Sequence, residues 1–241
     1  GGLSNTRDSV RVLINNSTIG IATVAQTNED TLQLANNLSE GNHTISVIAI
    51  DSSGNTSLSS SSLDISIDLT RPSIPTIPDL MSDSDLGISN VDNITSDNTP
   101  TFYSNNLEPY NTIRLFTKSI FNPLDSILVA SDILSGTDTT IEITPLESIN
   151  DGNYQFFIIA EDLAGNRVQS IDLDTVRIDT ENPFAHISYS DSLVRHADSS
   201  VMVYAQFNEE VVASPSIFTV FPEGNILDTS SMILNTSNSN W

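Results

Sequence analysis

The side chains of this sequence that could do chemistry are its aspartates, and the chemistry they suit is the holding of a hard divalent cation. Asp83, Asp85, Asp92 and Asp97 fall within one polar stretch, SDSDLGISNVDNITSDN. A second set, Asp51, Asp68, Asp162 and Asp179, recurs at a fixed interval, with Glu181 and Asn182 just behind the last. Carboxylate, amide and carbonyl oxygens are the ligands of calcium, which takes about six to eight of them in a flexible shell, whereas magnesium demands a stricter octahedron. Zinc is poorly served, because there is no cysteine and His43, His186 and His196 are scattered. Two carboxylates about 4 Å apart repel by roughly 4 kcal/mol at an effective dielectric near 20. A cluster of three or more therefore opens unless a proton or a cation neutralises it. The loop is no EF-hand: Asp83-x-Asp85 opens like one, but Gly87 is out of register by one position and Ile94 stands where the bidentate glutamate belongs.

The elements that must position these acids are repeated. An offset of 111 residues carries Asp51 to Asp162, and the same offset carries Gly41 to Gly152, Asp68 to Asp179 and Pro72 to Pro183. Without a gap, Leu38–Pro72 and Ile149–Pro183 share 11 of 35 residues. Such a period is the size of one small domain. The chain divides on this basis into a first unit over 1–70 that lacks its front part, a complete unit over 71–180, and a third over 181–241 that stops before it closes. The sequence reads as a window onto a longer protein.

Within the units, apolar residues alternate with polar ones, as in Ile45, Val47, Ala49 and in Tyr154, Phe156, Ile158, Ala160. That is the period of a half-buried strand, and clusters of Ser, Thr, Asn, Asp and Gly break it at intervals suited to an all-β sandwich. For the middle unit the pattern predicts strands at 76–80, 101–104, 112–118, 126–131, 139–144, 154–161 and 168–178. Seven strands with polar turns fit an immunoglobulin-like sandwich without the cysteines and core tryptophan of antibody domains. Ile67-Asp68-Leu69-Thr70-Arg71-Pro72 and Ile178-Asp179-Thr180-Glu181-Asn182-Pro183 join the units, and a proline after a strand makes each a short, stiff linker. The expected arrangement is an elongated tandem.

Composition narrows the function. The chain carries 31 acidic and 8 basic residues, a net charge of -23, and such a surface repels nucleic acid and anionic membranes. No apolar run approaches the roughly 18 residues of a membrane span, and Gly1-Gly2-Leu3 is not the basic opening of a secretory signal. Nothing assembles into a catalytic constellation. Glu161-Asp162 and Glu209-Glu210 are neighbours on strands and so point to opposite faces, and no serine sits in a nucleophile elbow.

Ser82-Asp83-Ser84-Asp85-Leu86-Gly87 through Asp92-Asn93-Ile94-Thr95, followed by Asn98-Thr99-Pro100-Thr101-Phe102, resembles the bacterial Ig-like domains that repeat in giant calcium-dependent surface adhesins. Asp151-Gly152-Asn153-Tyr154, Ala160-Glu161-Asp162-Leu163-Ala164-Gly165-Asn166 and Ile178-Asp179-Thr180 strengthen the resemblance. It covers nearly all of the middle unit, with a partial echo in the first. Ala205-Gln206-Phe207-Asn208-Glu209-Glu210-Val211 in the third is similar to a related Ig-like type. The resemblance implies an extracellular stalk on the bacterial cell surface, in biofilm or host adhesion, that holds a ligand-binding tip away from the cell. It further implies calcium near the domain junctions. The partners it implies are the neighbouring repeats of the same chain and, through domains outside this window, a host or biofilm surface ligand.

In a sandwich entered at one end and left at the other, the turn at Asp162 lies at the upstream end, beside Asp68. The loop Asp83–Asn98 lies at the downstream end, beside Asp179, Glu181 and Asn182. The candidate calcium ligands are therefore Asp83, Asp85, Asp92, Asp97, Asp162, Asp179, Glu181 and Asn182, with Asp51 and Asp68 as the counterparts of the first repeat. Against this stand two plainer readings: a solvated loop built of Asx-turns for Asp83–Asp97, and hairpin aspartates that cap their own turns for Asp51 and Asp162. Arg71 occupies the first linker and could supply positive charge there without a metal. Two other functions fit a β-sandwich of this kind. One is a glycan- or protein-binding module that uses Phe102, Tyr103, Tyr110 and Phe121, and the other is an accessory module of a secreted polysaccharide-degrading enzyme.

Overall fold

The computed structural model describes residues 9–23, 37–171, 174–189, 203–209, 216–220 and 226–231. His196, Glu210 and Val211, named above, lie outside them. The described residues form strands and connections without a helix, and none of them forms a helix long and apolar enough to cross a membrane.

In the first unit, β1 (Ser9–Ile14), β2 (Ser17–Thr23), β3 (Gly41–Ile50) and β4 (Leu63–Ile67) make one antiparallel sheet in the order β2-β1-β3-β4. The middle unit contains β5 (Asp79–Leu80), β6 (Ile94–Thr95), β7 (Phe102–Asn105), β8 (Thr112–Ser119) and β9 (Ser126–Ile133), followed by β10 (Thr140–Ile143), β11 (Gly152–Glu161), β12 (Arg167–Gln169) and β13 (Asp174–Ile178). Three of these strands form one sheet, β10-β7-β5, and six form the other, β6-β13-β11-β8-β9 with β12 also on β11. Beyond the second linker, β14 (Ala185–Tyr189) pairs with β15 (Val203–Phe207), and β16 (Ser216–Val220) with β17 (Ile226–Ser231).

Alternation explains the core of the middle unit. Ile113, Leu115 and Thr117 on β8 and Phe156, Ile158 and Ala160 on β11 are buried, and Val176 and Ile178 on β13 join them from the same sheet. Leu80, Phe102, Ile141 and Ile143 face them from the three-stranded sheet. The contact that joins the layers is aromatic: the Phe102 and Phe156 rings lie 4.3 Å apart between centroids. The other register of β8 and β11 faces outward, where Phe116 stacks on Phe157 at 5.3 Å and the Lys118 ammonium stands 6.0 Å over the Phe157 ring.

The expectation that Phe102 is an exposed binding aromatic is corrected, since it is 0% exposed. On β7 the inward positions are Phe102 and Ser104, and Tyr103 takes the outward one. Tyr110 and Phe121 are exposed as expected. Two strand boundaries also differ. The predicted strand over 76–80 pairs as β5 only at Asp79–Leu80, because Pro75 and Pro78 lack the N–H a ladder needs, although Thr76 still donates its amide to Asn105 O. The predicted strand over 168–178 is two strands, β12 and β13, which pair with different stretches of β11.

Candidate cation site and linker contacts

The acidic loop leaves β5 in a tight turn, where Met81 O accepts the amides of Ser84 and Asp85. This buries Ser84 and Asp85 beneath the loop. Ser84 then organises the return of the chain: its hydroxyl donates to Asp97 Oδ2, its carbonyl accepts the Thr95 hydroxyl, and its Oγ accepts the Thr101 amide. Asp97 Oδ1 accepts both the amide and the hydroxyl of Thr99. Asp97 is thus a turn cap with both oxygens engaged. Asp83 is exposed.

Asp85 and Asp92 are different. Asp92 accepts the Ser89 and Ile94 amides, one on each oxygen. Asp85 Oδ2 accepts the Asn93 amide at 3.2 Å, but Oδ1 is buried with no hydrogen-bond partner. Its near neighbour is the Asp92 carboxylate, an acceptor that satisfies it only when one of the two carboxyls holds a proton. Burial pushes the Asp85 carboxyl up in pKa, the Asn93 amide opposes this, and the Asp92 charge adds to the rise. Beside the pair is Gly87, where a Cβ would lie 2.7 Å from both Asp92 Oδ1 and Ile94 O. A carboxylate oxygen and a backbone carbonyl therefore crowd a space that only glycine leaves open. Two carboxylates and a carbonyl make an all-oxygen set of the kind calcium takes. Among the described residues no three His, Cys, Asp or Glu side chains gather closely enough to hold a metal by themselves, so carbonyls would have to complete the shell.

The same loop grips the outgoing chain. β6 runs parallel to β13, and Asn93 O accepts the Arg177 amide while Thr95 O accepts that of Asp179, each at 2.9 Å. Asp179 Oδ2 accepts from Arg177 Nη2 at 2.6 Å, and Oδ1 accepts the Glu181 amide. Glu181 and Asn182 are exposed. Asp151 holds the linker from the other side, accepting the Thr180 hydroxyl at 2.9 Å and its amide at 3.1 Å.

At the upstream end Asp162 closes the β11–β12 turn. Its Oδ1 accepts the Ala164 and Asn166 amides and its Oδ2 the Asn166 side-chain amide, around Gly165 at φ 91°. Asp51 makes the same set with Ser53 and Asn55, around Gly54 at φ 87°. Only glycine takes such a φ without strain, so both turns need it. The Asn55 side chain, chiefly, holds the Asp51 carboxyl below its usual range. Burial pushes the Asp162 carboxyl up, but the Asn166, Ala164 and Gly165 bonds together bring it below that range. Asn166 Nδ2 also donates to Asp68 O at 3.1 Å, which ties this turn to the incoming linker. Further along that linker, Asp68 Oδ1 accepts the Thr70 amide, the Thr70 hydroxyl donates to Glu40, and Ser73 donates both its amide and hydroxyl to Glu108 Oε1 at 2.7 Å. Arg71 is exposed.

The bacterial Ig-like domain matches residues 2–69 and 71–180. The chain belongs to the bacterial Ig-like domain family. Among solved structures it is similar to a tetra-tandem repeat from the extending region of a large adhesion protein, at 17% identity over 94% of this chain and 56% of that one, with a TM-score of 0.35. It is also similar to the BSP domain of a biofilm-associated protein, at 16% identity over 73% and 25% of the two chains and a TM-score of 0.29. A third similar structure is dimeric latent PorU from Porphyromonas gingivalis, at 14% identity over 72% and 16% with a TM-score of 0.29. The chain thus spans little more than half of the first of these. No curated protein matches it.

For this bacterial Ig-like chain, the structure brings the Asp162 turn to Asp68 and the Asp83–Asn98 loop to Asp179, as expected from the order of strands in a sandwich. Of the predicted ligands, Asp85 and Asp92 stand together, Asp97, Asp51 and Asp162 cap turns, Asp179 pairs with Arg177, and Asp83, Glu181 and Asn182 are exposed. Sequence reasoning missed Glu40, Glu108 and Asp151. The first and last were legible: each precedes the paired glycines Gly41 and Gly152, at the same offset of 111.

Proposed function

We propose that this chain is an extender segment of a bacterial cell-surface adhesin, in which Ig-like units spanning 1–70, 71–180 and 181–241 serve as a stiff spacer outside the cell. The observation that carries this reading is the fastening of both linkers. Hydroxyl and amide donors of Thr70, Ser73 and Asn166 hold the first one to the acids and carbonyls around it, and Thr180 on Asp151 repeats the device in the second. A free hinge would leave these donors in water. The neighbouring repeats are the working partners of each unit, and any host or biofilm ligand belongs to domains elsewhere in the full protein.

Calcium belongs to the same reading. Asp85, Asp92 and the Ile94 carbonyl would hold the ion, which supplies the positive charge that the buried Asp85 Oδ1 lacks. It would stiffen the segment that carries Asn93 O and Thr95 O, and through them the outgoing linker. At about ten times Kd, ambient calcium adds about 1.4 kcal/mol per site, a large part of the stability of a small domain without disulfides. The test is small-angle scattering and thermal unfolding of the whole chain with calcium and with chelator. A longer maximum dimension and a higher Tm with calcium support the reading. Identical curves remove calcium from it, and a compact or fully flexible particle under both conditions removes the spacer role.

A further inference from the structure

Between residues 73 and 180 the chain has 17 acidic residues and 4 basic ones. All four basic residues lie on one surface, the outer face of the six-stranded sheet. Arg114 and Lys118 alternate on β8 with the buried Ile113, Leu115 and Thr117, so they point away from the core. Arg167 on β12 is opposite the outward Glu161, and Arg177 on β13 lies between the buried Val176 and Ile178. In the middle of this face is the stacked Phe116–Phe157 pair, with Lys118 above it. Among the described residues, two acids are on this face: Glu161, which pairs with both Arg114 and Arg167, and Asp179, which pairs with Arg177. The arginines keep exposed area beyond these pairs, 64% for Arg167 and 52% for Arg177.

The opposite face of the same sandwich is its electrostatic complement. On the outer side of the three-stranded sheet, Tyr103 is in register with Asp79 on one side and Glu142 on the other, and both acids are exposed. No basic residue of 73–180 is on that side. We infer that the outer face of the six-stranded sheet docks a second copy of this chain through the Asp79–Tyr103–Glu142 face of its three-stranded sheet. Lys118 and Arg177, the latter also holding Asp179, would meet the two acids, and Phe116, which covers the buried Phe157, would meet Tyr103. The contact is heterologous, because different faces meet, so each unit keeps one face free for the next copy and the contact builds rows instead of closed dimers. The smaller, three-stranded face bounds the contact: three strand rows at about 4.8 Å and about four residues at roughly 3.3 Å give about 200 Å². That falls below the roughly 800 Å² per partner of a stable complex, so the contact is weak. The net charge of -23 on each copy opposes approach, but at about 0.15 M salt it is screened beyond about 8 Å.

The test is sedimentation velocity of the full chain at physiological ionic strength over a wide concentration range. The wild type should show a sedimentation coefficient that rises with concentration. Lys118→Glu/Arg177→Glu, with two acidic faces, and Asp79→Lys/Glu142→Lys, with two basic faces, should each stay monomeric, and an equimolar mixture of the two should associate again. Lys118→Gln keeps the fold intact if the double reversal disturbs it, and should weaken association several-fold. A monomeric wild type, an acidic-faced variant that associates like the wild type, or a mixture that behaves as its separate components would overturn the proposal. So would a monomeric wild type that is retained on an anionic polysaccharide, which would give the face another occupant.

Discussion

Asp85→Asn separates the cation reading from a purely structural one because its effect on stability should change sign with calcium. In the wild type Asp85 is buried, its Oδ1 has no partner, and the Asp92 carboxylate is beside it. Two carboxylates about 4 Å apart repel by about 4 kcal/mol at an effective dielectric near 20 and about 1 kcal/mol in water. A loop partly open to solvent falls toward the lower figure. The introduced side-chain amide has the donor that the carboxylate lacks, so with chelator the variant should be more stable than the wild type by about 1 kcal/mol. With calcium at about ten times Kd the wild type gains about 1.4 kcal/mol, and the variant, short of one anionic ligand, gains little. Since about 1 kcal/mol moves Tm by roughly 4 °C in a domain of this size, the variant should melt about 4 °C above the wild type in chelator and about 1–2 °C below it with calcium. Differential scanning calorimetry of the full chain in chelator and in millimolar calcium measures this. Equal calcium shifts in both proteins, or a wild type that is more stable than Asp85→Asn in chelator, would show that the pair holds no ion.

Gly87→Ala drives a Cβ to 2.7 Å from Asp92 Oδ1 and Ile94 O, so it should lower Tm by an amount equivalent to about 1–3 kcal/mol and abolish the calcium heat in titration calorimetry. Phe102→Ala should cost about 3–5 kcal/mol in urea unfolding, since it empties the centre of the core, whereas Phe121→Ala, at a site 83% exposed, should stay within about 0.5 kcal/mol. Glu108→Ala removes the acceptor of both Ser73 donors; hydrogen exchange at the Ser73 amide should accelerate by an order of magnitude with the core amides unchanged. Asp151→Ala should loosen the second linker more than Thr180→Val, read as amide relaxation at position 180, because the first change removes both the amide and the hydroxyl bond to the carboxylate and the second only the hydroxyl bond.

How much of this the sequence revealed depended on whether the signal was local. Alternation over Ile113–Lys118 and Tyr154–Glu161 located the two central strands, because a half-buried strand reports its faces every second residue. The turns at Asp51 and Asp162 were legible for the same reason, since Asp-x-x-Gly-Asn closes on itself. Phe102 was misread because an aromatic next to a proline loop looks like a surface residue until the register of β7 on β10 is known. Phe157 was hidden by the opposite problem, a large apolar residue at an outward position whose cover, Phe116, lies on another strand. The acids show the limit most clearly. Their number and spacing suggested convergence, yet an aspartate that reaches its own backbone two to four residues away satisfies itself before any long-range partner arrives, as Asp51, Asp97 and Asp162 do. Asp85 stands apart because the Met81 turn buries it before its side chain can reach enough donors.

The parallel pairing of β6 with β13 sets how the middle unit bears load. When the chain is stretched between its ends, force leaves the middle unit through Ile178 along the axis of β13. The bonds from Asn93 O to the Arg177 amide and from Thr95 O to the Asp179 amide lie across that direction. They are sheared together instead of unzipped one by one, so rupture has to break both at the same moment. The short strand at the end of the acidic loop is a mechanical clamp, placed where traction first enters the fold.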